Sequence, residues 1–138
     1  MFSIVQKSYL LGVTNHFNYA VMEFVALSEF ARELKRLGKK YHSLQNDLEI
    51  FKSVIVQYPQ GNGSKHWNKL YERENVAVFK TRLACASLRG QDKMRIIYAF
   101  KYGNQQIDLI ELYYKGEKEN EDSRLIKSYL KGNRGPFL

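Results

Sequence analysis

Three apolar, β-branched runs follow one another in the C-terminal half of the chain, and their close spacing constrains how they pair. They cover residues 76–86, 93–102 and 106–114. Gly103 and Asn104 separate the last two, a hairpin turn signal. Residues 88–92 make a longer connection between the first two. Strands joined this tightly run antiparallel, because a parallel return needs a crossover of a dozen residues or more. The expectation is an antiparallel meander.

The preceding segments read as a strand and two helices. Met22 opens a strand-like run that ends at Leu27. Ser28 then offers a helix cap. Phe30, Leu34, Leu37 and Tyr41 recur at spacings of three and four, with Arg32, Lys35, Arg36, Lys39 and Lys40 on the other face. Ser43 offers a second cap, ahead of the stripe Leu44, Leu48, Phe51, Val54, Ile55 and Tyr58. Pro59 ends that helix, because the residue before a proline is pushed out of helical geometry. The short break between the helices predicts an antiparallel hairpin. Residues 59–69 read as a loop. A last helix is expected over about residues 119–131, with Glu119, Glu121 and Asp122 at its start and Gly132 at its end.

The expected fold is therefore α+β. An antiparallel sheet of about four strands carries the N-terminal helix hairpin on one face, and a C-terminal helix follows. Residues 22–132 form the working domain, with a short tail at 133–138. Residues 1–21 lack a strong pattern. They read either as an extension, from a start codon assigned upstream, or as an extra strand or short helix packed on the domain.

Composition narrows the partners. The 138 residues are 44% hydrophobic and 14% aromatic, enough apolar surface to build a core. Against 14 Asp and Glu stand 22 Lys and Arg, a net charge of +8, which favours an anionic partner. Cys85 is the sole cysteine, so an intrachain disulfide and a cysteine-built zinc site are both excluded. That usage fits the cytosol. The longest nearly uncharged stretch, residues 8–22, is too polar for a membrane span.

Strand alternation places part of the charge. Lys80 and Arg82 share one face, and Phe79 and Leu83 share the other. If the Phe79 face meets the helices, the two cations point into an open groove, where Arg95 joins them if the register permits. The same alternation is what a solvated sheet face carries. Arg95 lies within an otherwise apolar run and needs a partner. Glu111, Asp108 and a bound phosphate are the candidates.

Four stretches carry a resemblance. They are Phe30-Ala-Arg-Glu-Leu-Lys-Arg-Leu-Gly-Lys-Lys-Tyr41, Val78-Phe-Lys-Thr-Arg-Leu83, Met94-Arg-Ile-Ile-Tyr98 and Ile107-Asp-Leu-Ile-Glu-Leu-Tyr-Tyr-Lys-Gly116. In this order they resemble the RelE/ParE superfamily of toxins from bacterial toxin–antitoxin pairs, in the manner of its RelE- and HigB-like members. The likeness spans roughly residues 22–131. It implies a cytoplasmic toxin that cuts mRNA on the ribosome with no metal or other cofactor, the RNA 2′-hydroxyl attacking the adjacent phosphodiester. It also implies a cognate antitoxin as partner. By motif position, Lys80, Arg82, Arg95 and Tyr98 would be the catalytic set. Lys115 would bind RNA near the end of the last strand, and Arg32, Lys35, Arg36 and Lys39 would contact RNA from the first helix.

The chain departs from this pattern after the last strand. Glu117, Glu119, Glu121 and Asp122 stand where some interferases carry arginines, and acidic groups repel an RNA backbone. They equally suit the start of the last helix. His66, beside Trp67 in a Gly-rich loop, is a candidate base, ahead of His16 and His42. Two other readings share the fold: a ParE-like toxin that inhibits gyrase by protein contact, and a non-catalytic nucleic-acid-binding protein.

Overall fold

The computed structural model describes residues 3–8 and 22–132. Six strands form one sheet: β1 (Ser3–Ser8), β2 (Met22–Leu27), β3 (Trp67–Glu72), β4 (Val76–Arg82), β5 (Met94–Lys101) and β6 (Gln106–Tyr114). Three helices pack on it: α1 (Ser28–Gly38), α2 (Leu44–Ile55) and α3 (Ser123–Gly132). The strand order is β1-β2-β6-β5-β4-β3. The β4-β5-β6 meander is antiparallel, as its short connections require.

Three expectations need correction. The sheet has six strands rather than about four, and it is mixed, because β2 runs parallel to β6. The chain between those two strands passes through both hairpin helices and three strands, so no tight turn forces them antiparallel. The end of the segment read as loop, residues 67–69, opens β3, which pairs antiparallel with β4. Its residues are mostly exposed, so it lacks the apolar run that marks a buried strand. The last helix begins at Ser123, four residues later than Glu119. Beyond these, Ser3–Ser8 pairs antiparallel with Met22–Leu27 at the sheet edge; His16 and residues 133–138 lie outside the described residues.

The two faces have separate cores. α1 and α2 cover one face, where Phe30, Leu37, Leu44, Leu48 and Ile55 pack on Phe24, Phe79, Leu83, Ile96, Tyr98 and Leu112. α3 covers part of the other, packing Ile126, Tyr129 and Leu130 on Val78, Ile97, Ala99 and Ile110. Each large side chain so buried contributes roughly 1.5–3 kcal/mol. A bulge between Ile97 and Tyr98 on the β5–β6 ladder lets both Ile110 and Glu111 serve the α3 face.

Local details depart from the sequence signals at both hairpin helices. Ser28 is the first residue of α1, and Leu27 occupies the cap position with no side-chain hydrogen bond. Ser43 does stand at the cap of α2, but its hydroxyl donates to Asp47 Oδ2 at 2.6 Å instead of accepting from a backbone N–H of its own helix. Ser87 N–H donates to Ser43 Oγ at 2.8 Å, and Ala86 N–H to Asp47 Oδ2 at 3.2 Å. These bonds tie the connection between β4 and β5 to the start of α2.

Candidate nucleic-acid site

The register brings three of the expected cations onto one face. Arg82 stands opposite Arg95, and Arg95 opposite Tyr113. Two pairs further in, on the same face, Lys80 stands opposite Ile97, itself opposite Glu111. Phe79 and Leu83 meet the helix hairpin, so Lys80 and Arg82 turn to the α3 side. That face is not an open groove. α3 and the turn before it cover its centre, leaving the end where β4 finishes and β5 starts.

Each cation has a carboxylate partner. Lys80 Nζ reaches Glu121 Oε1 at 2.7 Å. Burial works against the lysine charge, but Glu121 outweighs it and holds the Lys80 pKa above its usual value. Arg82 Nε reaches Asp92 Oδ2 at 2.6 Å, and Arg95 Nη1 reaches Asp92 Oδ1 at 3.2 Å. Arg95 also donates to the carbonyls of Asp92 and Met94, at 3.0 and 3.1 Å. Neither Glu111 nor Asp108, the partners the sequence suggests, takes this role. Glu111 binds Lys118 and the backbone N–H of Asp122. Asp108 accepts from Tyr129 Oη and Gln106 Nε2 and lies 3.6 Å from Lys101 Nζ. One carboxylate thus bridges two guanidinium groups, each of a kind that can hold a phosphate in bidentate fashion. The Arg82 side chain is 40% exposed and Arg95 12%, so Arg82 is the more accessible.

Tyr98 is not part of this arrangement. It faces the helix hairpin, fully buried, with the sheet between it and the cations. Its hydroxyl donates to the Pro59 carbonyl and accepts from Trp67 Nε1, both at 2.8 Å, and its ring stacks on Phe79. Burial pushes its pKa up. These contacts make it a pin between the sheet and the loop before β3. Tyr113 lies beside Lys80, and burial raises its pKa too. Among the described residues its buried hydroxyl makes no hydrogen bond of ordinary geometry.

The other candidates are dispersed. Lys115 follows β6 and is half-buried, its N–H donating to the Lys93 carbonyl at 2.7 Å beside the first residues of β5. Arg32, Lys35 and Arg36 lie on α1 and Lys39 at its C-terminal cap, in the layer across the sheet. Arg32 pairs with Glu29, and Arg36 with Glu33 and Glu117. Lys35 and Lys39 are exposed.

The acidic segment has a structural use. Glu117 holds Arg36 at 2.7 Å, which lowers the glutamate's pKa. Asp122 Oδ1 accepts the Arg124 N–H at 2.9 Å and so caps α3. Glu121 neutralises Lys80. These three carboxylates are thus already engaged, two by cations and one by the backbone.

His66 is the residue whose setting only the structure reveals. Trp67 stands opposite Thr81, and His66 lies in the turn just before it, beside the end of β4. Arg82, Asp92 and Arg95 all act electrostatically on its ring. Desolvation and the charges of Arg82, Lys65 and Arg95 lower the imidazole pKa below 6.5, against a smaller opposing effect from Asp92. The sequence offered only a histidine in a Gly-rich loop; recognising β3 would have placed that loop beside the end of β4.

A cavity of about 660 Å³ opens on the hairpin side, lined by Phe51, Val54, Trp67, Leu83 and Cys85. Arg82 and Asp92 form its rim, so it meets the cation site edge-on. Burial raises the Cys85 pKa. Among the described residues, no three His, Cys, Asp or Glu side chains converge to hold a metal ion. Nor is any described helix long and apolar enough to cross a membrane.

No protein-family model matches this chain, and no curated protein matches it. A solved structure similar to it is that of an archaeal RelE–RelB complex from Pyrococcus horikoshii OT3, at 16% identity and a TM-score of 0.49. The match covers 66% of this chain and 91% of that one.

Proposed function

We propose that this protein is the toxin of a toxin–antitoxin pair and inhibits translation by cutting mRNA on the ribosome without a metal. The observation that carries the reading is the bridged pair Arg82 and Arg95, opposite one another on adjacent strands, with Lys80 two pairs further in on the same face. These are the positions that the sequence resemblance singles out. The chemistry suits them. Attack by the 2′-hydroxyl forms a bond from O2′ to phosphorus and breaks the bond to the 5′-oxygen, leaving a 2′,3′-cyclic phosphate. Negative charge grows on the phosphoryl oxygens as this happens. Cations already held in place stabilise that charge without reorganising. In this reading a phosphate displaces Asp92 from Arg82 and Arg95, and an acidic segment of the antitoxin competes for the same groups.

Tyr98 is left out of the catalytic set, because its hydroxyl is committed in the core. The test runs two assays side by side. Purified protein is added to ribosomes programmed with a defined mRNA, and separately to DNA gyrase in a supercoiling assay. The proposal expects cleavage of the message and unchanged supercoiling. Intact message with inhibited gyrase assigns the fold to the ParE-like activity instead. Salt-sensitive RNA binding with neither effect leaves a binding protein only.

A further inference from the structure

We infer that the imidazole of His66 is the base that takes the proton from the attacking 2′-hydroxyl, beside a phosphate held by Arg82 and Arg95. The inference rests on the RNA-cleaving reading above and assigns a residue to the step which that reading leaves open.

Position is the first argument. Arg82 and Arg95 occupy one row across the sheet, and His66 lies in the turn just before Trp67, whose partner Thr81 adjoins Arg82. Adjacent strands lie about 4.8 Å apart, so a phosphate between the arginines places the neighbouring ribose within reach of the imidazole. The loop carrying His66 is held on both sides. Its N–H donates to Ser64 Oγ at 3.2 Å, and the Ser64 N–H to Asn62 Oδ1 at 3.1 Å. On the other side the Trp67 indole is anchored to Tyr98, and Gly61, at φ +91°, brings its backbone against the Trp67 ring. A Cβ at residue 61 would lie 3.2 Å from that ring. A base held this way avoids the entropy of being positioned at each turnover.

Chemical state is the second argument. A base must be unprotonated at working pH. The groups facing His66 are Arg82 from β4, Arg95 from β5, Asp92 from the connection between them, and Lys65 beside it. The three cations favour the neutral ring, and among the described residues no hydrogen bond occupies its nitrogens. The proton balance is simple. The imidazole accepts the 2′-hydroxyl proton as O2′ bonds to phosphorus. Solvent water protonates the departing 5′-oxygen, and the imidazolium returns its proton to water afterwards.

The experiment measures single-turnover cleavage of ribosome-bound mRNA across pH by the full chain, as wild type, His66→Gln and His66→Ala. Loss of the base lowers the rate about 10²–10⁴-fold at neutral pH. Free imidazole is expected to restore part of the rate to His66→Ala alone. The wild-type rate rises along an acid limb below pH 6.5 and is level through neutrality. Binding of a message with a 2′-deoxyribose at the cleavage point, which cannot react, is expected to be unchanged in both variants. A wild-type rate in His66→Gln overturns the inference while leaving the RNA-cleaving reading intact. So does a wild-type profile with no acid limb, which needs no variant to fold. Wild-type protein that leaves an all-RNA message uncut overturns both.

Discussion

Arg82 stands directly across the β4–β5 ladder from Arg95. Like charges opposite one another on adjacent strands destabilise a sheet by several tenths of a kcal/mol. Asp92 offsets this by reaching one arginine with each oxygen. Asp92→Asn should therefore lower stability by about 0.5–1 kcal/mol, the range of a partly exposed ion pair. The same change removes the group that competes with phosphate. Single-stranded RNA should bind more tightly, and the melting temperature should rise more on adding RNA than in wild type. Thermal melts with and without a short oligonucleotide check both. A variant that loses stability and gains no affinity shows that Asp92 does not occupy a phosphate position.

Arg95 is the cation with the most at stake, because its side chain is 12% exposed and makes three hydrogen bonds. Arg95→Ala should cut single-turnover cleavage about 10²–10³-fold, the usual cost of removing one preorganised donor from a charge-stabilising site. Arg95→Lys should recover only part of this, since an ammonium keeps the charge but not the planar fork. In growing cells, Arg95→Ala should relieve the growth arrest caused by expression. Full toxicity in a folded Arg95→Ala protein removes Arg95 from the mechanism.

The cation row was legible in the sequence for a physical reason. Residues 76–82 and 94–101 read as strands from their apolar, β-branched runs, so the faces of Lys80, Arg82 and Arg95 follow from side-chain alternation alone. The register did not follow, because a ladder is set by pairing rather than by either strand. Nor did the partner of Arg95. Asp92 sits in a connection with no period, and its position depends on Ser43, Asp47 and Ser87 holding that connection against α2. β3 escaped notice because an edge strand exposed on both faces has no apolar stripe. With β3 unseen, nothing placed the turn of His66 beside the end of β4. Tyr98 shows the converse error. It was paired with Arg95 by motif, yet a separation of three residues along a strand puts two side chains on opposite faces.

Tyr98→Phe separates those two roles. The substitution keeps the ring stacked on Phe79 and removes the hydroxyl shared by Trp67 Nε1 and the Pro59 carbonyl. It leaves the indole N–H without its partner, a cost of about 1–3 kcal/mol for a buried group. Chemical denaturation should show that loss. Cleavage per folded molecule should stay close to wild type at low temperature, where the variant remains folded. A stable Tyr98→Phe protein with a large drop in rate would return the tyrosine to the catalytic set.

The Lys80–Glu121 bridge should give stability a defined pH dependence. Both side chains are about three-quarters shielded, at 25% and 24% exposure, so the pair is worth about 0.5–1 kcal/mol after solvent screening. Burial pushes the Glu121 pKa up, but Lys80 wins and holds it below the ordinary 4.5. A carboxylate depressed by folding stabilises the native state above its unfolded pKa, and the benefit disappears as pH falls through the folded value. Lys80 is raised above 10.5, so its share is present below that pH and lost as pH rises through its folded value. The stability difference between wild type and Glu121→Gln should therefore be level from pH 4.5 to 10.5 and shrink outside that window on both sides. Denaturant unfolding of the two proteins across pH measures it. The same substitution releases Lys80 toward the bound strand, so RNA affinity at neutral pH should rise with a steeper salt dependence, by close to one more phosphate contact. A level difference that persists well below pH 4 would mean that Glu121 acts through its packing and backbone contacts rather than through Lys80.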